Sequence, residues 1–357
     1  MSCHARTRAI CNAMSSSKQP IPLQDEQEAQ TKTETNPDLY QHFASLVSSL
    51  PRSQGLSNNQ FYRHDQGWNS SLVPMVGAMV ADVCFTARPS DIVVATMPKS
   101  GTTWLKSLLY ATVHREQHPA EAADHPFYSL GPHECIKYFE FQIYSRNSVP
   151  NLKELPDPRL FATHVPFVSL PRTVATSGCK IVYLCRDPKD TLVSMWHFSN
   201  KLRARDGLEP LSVDAAVEFF CDGLSPCGPY WDHVLGYWQA HLAHPERVLF
   251  LRYEEMQRDP AAHVRRLAEF VGLPFSAGEE EKGVVDAIVR LCSFEHMSRL
   301  EVTKGGKSDT ALGSMPNSLF FRQGTVRDWE NHLSPEAGRR IDAITEAKFK
   351  GTGLCMI

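Results

Sequence analysis

The chain has no run of apolar residues long enough to cross a bilayer. Its longest, Leu72 to Ala81, is stopped by Asp82 and contains Pro74 and Gly77, whereas a spanning helix needs about 20 such residues. It also lacks an excess of positive charge. Thirty-seven basic against 40 acidic residues leave a formal net charge of −3, so the broad cationic footprint of a nucleic-acid binder is absent and only a local pocket for a small anion stays open. Ten cysteines are scattered without any C-x-x-C pair, which excludes a zinc ribbon or disulfide framework and points to a reduced, cytoplasmic setting. The ending Leu-Cys-Met-Ile places its cysteine third from the end, not fourth as a prenylation box requires. Among 15 histidines, the pairs His114/His118 and His241/His244 have helical spacing but no third ligand and no H-E-x-x-H pattern, so no metal is expected and these histidines read as surface residues.

Residues Met1 to Pro37 have almost no aromatic or periodic apolar side chains and read as a disordered tail. Arg6, Arg8 and Lys18 precede the first acid, Asp25, faintly as in a transit peptide, although a plain tail explains them as well. From residue 38 to 357 the pattern is that of one domain of α/β class.

Four apolar stretches read as strands: Asp91–Thr96, Leu160–Thr163, Lys180–Cys185 and Arg247–Tyr253. The first and third are short β-branched or aliphatic runs of the kind buried on both faces of a sheet. Helices follow from Trp104 to about His114, after the cap-plus-proline signals Asp187-Pro188 and Asp259-Pro260, and from Ser334-Pro335. Strands alternating with helices imply right-handed crossovers and a central, mainly parallel sheet flanked by helices.

The first of these strands runs into Lys99-Ser100-Gly101-Thr102-Thr103-Trp104. Gly101 lets backbone N–H groups approach an anion, the following helix N-terminus adds partial positive charge, and Lys99 adds a full one. Ser100, Thr102 and Thr103 supply hydroxyl donors, and Trp104 a flat face for a base. This is not a Walker loop, because the lysine precedes the glycine. The only Gly-Lys-Ser, Gly306 to Ser308, lacks the upstream glycine and reads as a solvated loop.

On strand, loop and helix, Lys99 to Trp104 resembles the 5′-phosphosulfate loop of the cytosolic sulfotransferases, in particular their soluble plant branch. The resemblance runs from about Leu39 to Leu354. It implies a P-loop-like α/β fold and transfer of a sulfonate group from 3′-phosphoadenosine 5′-phosphosulfate to a hydroxyl of a small organic acceptor. It further implies that Arg186 and Ser194, in Arg-x7-Ser spacing, hold the 3′-phosphate, as an arginine fork and a hydroxyl donor can. Tyr253 is similar to a residue beside the adenine, Cys292-Ser293-Phe294 to an adenine-side segment in which Phe294 stacks on the base, and Phe321-Arg322-Gln323-Gly324 to a segment closing over the 3′-phosphate. Gln323 stands where the family usually has lysine.

An acceptor hydroxyl must lose its proton, which suits a neutral imidazole. His164 sits at a strand tip in Thr163-His164-Val165-Pro166, which resembles the family's base segment. Lys99 then stabilises the leaving oxygen. Tyr138 and Phe141 either wall the acceptor pocket or belong to the core. Flat or polycyclic acceptors such as flavonoids, steroids or hormone-like alcohols fit such walls. Ala162 replaces the lysine many animal members carry, as in the plant branch, and the animal dimer motif has no match near Trp329 to Arg339. Two other readings stay open: a P-loop kinase or NTPase with Asp187 on magnesium, and a non-enzymatic module binding adenosine 3′,5′-bisphosphate.

Overall fold

The computed structural model describes residues 37–57, 59–64, 67–69, 71–145 and 149–356. The tail expected over Met1 to Pro37 lies outside the described residues, except that Pro37 opens the first helix, α1 (Pro37–Ser48).

The centre is a five-stranded, all-parallel sheet. Its strands are β1 (Ile92–Thr96), β2 (Lys137–Tyr138), β3 (Leu160–Thr163), β4 (Lys180–Cys185) and β5 (Val248–Arg252), in the spatial order β2-β3-β1-β4-β5. The expected strands are all present, those of the second and third stretches to the residue. Two-residue β2 is too short to leave a periodic signal.

The run Ile-Val-Val-Ala-Thr is apolar throughout because both faces of β1 are covered. Val93 and Ala95 join one core cluster, Ile92 and Val94 the other. The same alternation divides Ile181, Tyr183 and Cys185 from Val182 and Leu184 on β4, as the two-residue period of a strand requires. Helices α1, α2 (Leu72–Cys84), α5 (Tyr230–Ala243) and α8 (Pro335–Phe349) pack on the first face. On the second lie α3 (Thr102–Val113), α6 (Pro260–Phe270) and α7 (Val284–Leu291). Each fully buried Leu, Ile or Val contributes about 1.5–3 kcal/mol.

At the N-terminal edge, a buried bidentate pair joins two strand heads. Arg159 Nε donates to Asp91 Oδ1 at 2.7 Å, and its Nη2 donates to Oδ2. Asp187 caps α4 (Pro188–Arg205), its side chain accepting from the amides of Lys189 and Asp190, with Pro188 at the first helical position. That use of Asp187 removes the basis for a magnesium-holding role.

Two antiparallel elements stand apart from the sheet: a three-stranded ribbon (Arg52–Gln54, Gln60–His64, Gly67–Asn69) and a hairpin (Lys307–Thr310 with Gly313–Pro316). The hairpin corrects the reading of Gly306-Lys307-Ser308 as a solvated loop. Ser308 is buried, and its hydroxyl donates to Asn317 Oδ1 at 2.8 Å, a partner nine residues away that local pattern does not reveal. His114 and His118 are not free surface residues either: both are half-buried and stack with Tyr110.

Candidate active site

All five strands run in one direction, so their carboxyl ends share one edge of the sheet, where open α/β folds bind ligands. There a cavity of about 370 Å³ opens, within the range of small-molecule sites. Its lining includes Lys99, Gly101, Thr102, Thr103 and Trp104 after β1, His164 after β3, and Arg186 and Ser194 after β4. It also includes Tyr253 after β5, together with Tyr138, Phe141, Phe294, Arg322, Gln323 and Gly324. Of the residues singled out from sequence, only Ser100 is not in the lining. It is fully buried, and its hydroxyl has no hydrogen-bond partner among the described residues.

The loop after β1 is bent into the left-handed region twice, at Lys99 (φ 72°) and Gly101 (φ 102°). The second is a glycine for two reasons: the φ itself, and a Cβ there would lie 2.6 Å from the Tyr253 ring. Gly101 is the N-cap, so α3 begins at Thr102 rather than Trp104, and the two threonines sit in its first turn.

Among the described residues, four cationic side chains line the cavity, Lys99, Arg186, Lys201 and Arg322, and no carboxylate does. Burial, then the nearby charges of Lys201, Arg322 and Arg186, pull the Lys99 ammonium down to about 7. Lys99 Nζ lies 4.2 Å from the Phe198 ring centre and makes no ion pair among the described residues. Arg186 is tethered by Asp190 at 3.3 Å and by donation to the Thr325 carbonyl at 2.7 Å, and lies over the Tyr253 ring. Arg322 is held by Asp328. Yet among the described residues the Nε atoms of Arg186 and Arg322 are buried without partners, a costly state unless a ligand satisfies them. Ser194 stands inside α4 and lines the cavity, and its hydroxyl makes no hydrogen bond among the described residues. Phe294, about a third exposed, packs against Gly324, where a Cβ would meet its ring at 2.6 Å. Trp104 meets Tyr253 edge-on, with ring centres 5.4 Å apart.

His164 is fixed by what surrounds it. Its Nδ1 lies 2.8 Å from the Thr96 carbonyl. A carbonyl can only accept, so Nδ1 carries the hydrogen and Nε2 keeps its lone pair. No protein group bonds to Nε2 among the described residues. The His164 amide donates to Glu140 Oε1 at 2.6 Å, and His233 Nε2 donates to the His164 carbonyl at 3.0 Å. Burial pushes the imidazole down to about 3, so it is neutral; Lys106, His233 and Lys99 add to this, and the Thr96 bond opposes it. Burial raises Glu140 to about 7. Tyr138 and Phe141 combine core packing with a place in the cavity lining. They pack in or against the core and also stand 4.7 and 5.8 Å, ring centre to ring centre, from His164.

Several lining or supporting residues escaped sequence reading: Thr96, Lys106, His133, Glu140, Phe198 and Lys201. Lys106 alone left a signal, as the single charge in the otherwise uncharged run Thr102 to Val113. Among the described residues no group of three or more His, Cys, Asp or Glu is arranged to hold a metal ion, and no helix is long and apolar enough to cross a membrane.

The fold and this cavity set cationic side chains and a helix N-terminus at the carboxyl edge of a parallel α/β sheet. Residues 89–353 match the family model of the sulfotransferase domain. Among curated proteins, the chain is 41% identical over 325 residues to cytosolic sulfotransferase 15 of Arabidopsis thaliana, covering 90% of this chain and 89% of that protein. Among solved structures it is similar to a provisionally named steroid sulphotransferase of Arabidopsis thaliana. There the TM-score is 0.69 and the identity 35%, with 94% of this chain and 99% of the other covered. A mouse sulfotransferase, SULT7A1, complexed with PAP, gives a TM-score of 0.61 at 28% identity, covering 82% and 95%. The chain belongs to the sulfotransferase family.

Proposed function

We propose that this sulfotransferase moves a sulfonate group from 3′-phosphoadenosine 5′-phosphosulfate to a hydroxyl of a small organic acceptor, with His164 as general base and residues 38–357 working as one domain. The observation that carries the reading is the lining itself: among the described residues, four cations, no carboxylate, and the neutral imidazole of His164 with a free lone pair. Such an environment is built for a multiply charged anion beside a group that must lose a proton.

The residues fit a nucleotide with phosphate at two ends. Lys99, Ser100, Gly101, Thr102, Thr103 and the N-terminus of α3 would receive the 5′ end. Arg186, Ser194, Arg322, Gln323 and Gly324 would receive the 3′-phosphate; the unpartnered Nε atoms of both arginines support this. Trp104, Tyr253 and Phe294 would flank the base. The donor supplies the sulfonate and the leaving phosphate. His164 Nε2 takes the acceptor proton, Thr96 keeps the ring in the correct tautomer, and Lys99 stabilises charge growing on the departing oxygen. An imidazole near 3 is a weak base. An anion bound beside Lys99 offsets one of the lesser charges that depress it.

Tyr138, Phe141, Phe198, Leu312 and Phe320 offer flat apolar walls, which favours flavonoid, steroid or hormone-like acceptors. The curated relative's name carries the word cytosolic, in keeping with a cytoplasmic location. Incubation with labelled phosphosulfate donor and a mixed phenol and steroid panel, with EDTA present, tests the reaction. His164→Ala should lower turnover by about 10²–10⁴-fold while adenosine 3′,5′-bisphosphate still binds. Near wild-type turnover in that variant would refute the base.

A further inference from the structure

The one charge in α3 is Lys106, and none of its surface is exposed. Placing an ammonium there costs free energy that a methionine of similar length would not. No acid answers it with an ion pair among the described residues. Its partners are of another kind. Nζ donates to the Ile136 carbonyl at 2.8 Å, lies 3.2 Å from His133 Nδ1, and stands 3.2 Å from the Tyr138 ring centre. On the far side of the same imidazole, His133 Nε2 is 3.1 Å from Thr103 Oγ1. Phe320 and Tyr138 hold the ring from either side, with ring centres at 4.2 and 5.5 Å.

The Ile136 carbonyl can only accept, so Lys106 donates there. Burial pulls the Lys106 ammonium well down, and a neutral amine keeps a lone pair, so its contact with His133 Nδ1 can run either way; the relay is the arrangement in which Lys106 donates. With Lys106 donating to Nδ1, neutral His133 must carry its hydrogen on Nε2 and donate it to Thr103 Oγ1. The Thr103 hydroxyl then has its own hydrogen left over, and the residue lines the cavity at the first turn of α3.

We propose that Lys106 and His133 are positioning residues that fix the proton polarity of Thr103, committing its hydroxyl as a donor to the anion held by the loop. This rests on the reading above, that the loop receives the 5′ end of the nucleotide. Neither residue touches the reacting atoms. A hydroxyl free to rotate offers a phosphate oxygen either a hydrogen or a lone pair; the relay removes the repulsive choice before the ligand arrives, which is preorganisation of the kind that matters most where charge develops.

The tautomer can be read directly. Long-range ¹H–¹⁵N correlation of the wild-type protein, with the His133 signals assigned by their loss in His133→Gln, should show hydrogen on Nε2. Hydrogen on Nδ1 would overturn the proposal without any folding question. Kinetically, Lys106→Met and His133→Phe should each lower kcat/KM for the phosphosulfate donor roughly 10- to 100-fold, the usual effect of losing a hydrogen bond to a charged group. His133→Gln, whose amide N–H reaches toward Thr103, should recover most of that loss. In a Thr103→Val background, His133→Phe should have no further effect; an undiminished effect there would assign His133 a merely structural role and sink the relay. Calorimetry of the wild type with adenosine 3′,5′-bisphosphate separates the two layers. No binding removes the functional reading and the relay together. Binding of unchanged strength in every variant, with unchanged kcat/KM, removes the relay alone.

Discussion

Thr102 and Thr103 are adjacent on the first turn of α3, yet their hydroxyls are wired to different histidines. Thr102 Oγ1 lies 2.6 Å from Thr96 Oγ1, which is 3.1 Å from His164 Nδ1. Thr103 Oγ1 lies 3.1 Å from His133. The anion loop thus has two supports, one leading to the proposed base and one to a buried lysine.

Nucleotide affinity should decline as pH rises above 7. In the free protein the Lys99 ammonium is depressed to about 7 by burial and by its cationic neighbours. A bound anion favours the charged form, so the ammonium's pKa rises on binding and a proton is taken up. Below 7 Lys99 is already charged and this contribution is constant; above 7 the affinity loses roughly tenfold per pH unit until the raised pKa of the bound state is reached. Calorimetry at pH 8 in buffers of different ionisation heat should register uptake of nearly one proton. Lys99→Met should show none and lose the alkaline limb.

Gly101→Ala should weaken nucleotide binding more than it disturbs folding. Its backbone sits at φ 102°, and a methyl group would be 2.6 Å from the Tyr253 ring. The strain costs about 1–3 kcal/mol. It is relieved by moving the loop or Tyr253, both of which face the cavity. Equilibrium denaturation and bisphosphate titration on the same sample compare the two losses. A variant that binds as wild type would show that the backbone amides of this loop are not used.

Much of this site could be read from sequence because it lies in contiguous runs that follow strands. Lys99 to Trp104 is six residues of consistent chemistry, and the β-branched stretch before it announces a buried parallel strand. Arg186 and Ser194 were legible for the same reason, one directly after β4 and the other on the helix that follows, at fixed spacing. Glu140, Lys106 and His133 were not, because their meaning lies in partners that the fold supplies. Glu140 binds the amide of a residue 24 positions away, and Lys106 the carbonyl of one 30 positions away. The start of α3 was misplaced by two residues because Gly101, in the left-handed region, lets the helix begin on threonines that read as loop.

Asp91→Asn should destabilise the fold without touching the chemistry. Asp91 and Arg159 are both almost wholly buried, and the pair ties the heads of β1 and β3 at the end of the sheet opposite the cavity. Removing one charge leaves the other desolvated and unpaired, which costs about 3–5 kcal/mol. The denaturant midpoint should fall accordingly, while kcat/KM of the remaining folded protein stays near wild type. A small shift in midpoint would mean that water reaches Arg159 in the native state.

Gln323→Lys should tighten nucleotide binding, and only at low salt. Gln323 is exposed, lines the cavity, and sits between Arg322, whose Nε is buried without a partner, and Gly324. An ammonium there joins four cations already facing the cavity. In the free protein the added repulsion lowers stability slightly; with a 3′-phosphate present, the same charge is attracted. Exposed charge pairs contribute about 0.2–1 kcal/mol, so the gain is at most about fivefold in Kd. It should fade as the ionic strength passes about 0.15 M, where the screening length drops to about 8 Å. Adenosine 5′-phosphate, which lacks the 3′ group, should gain nothing from the change. An equal gain for both nucleotides would place residue 323 near the 5′ end instead and would reverse the orientation proposed for the ligand.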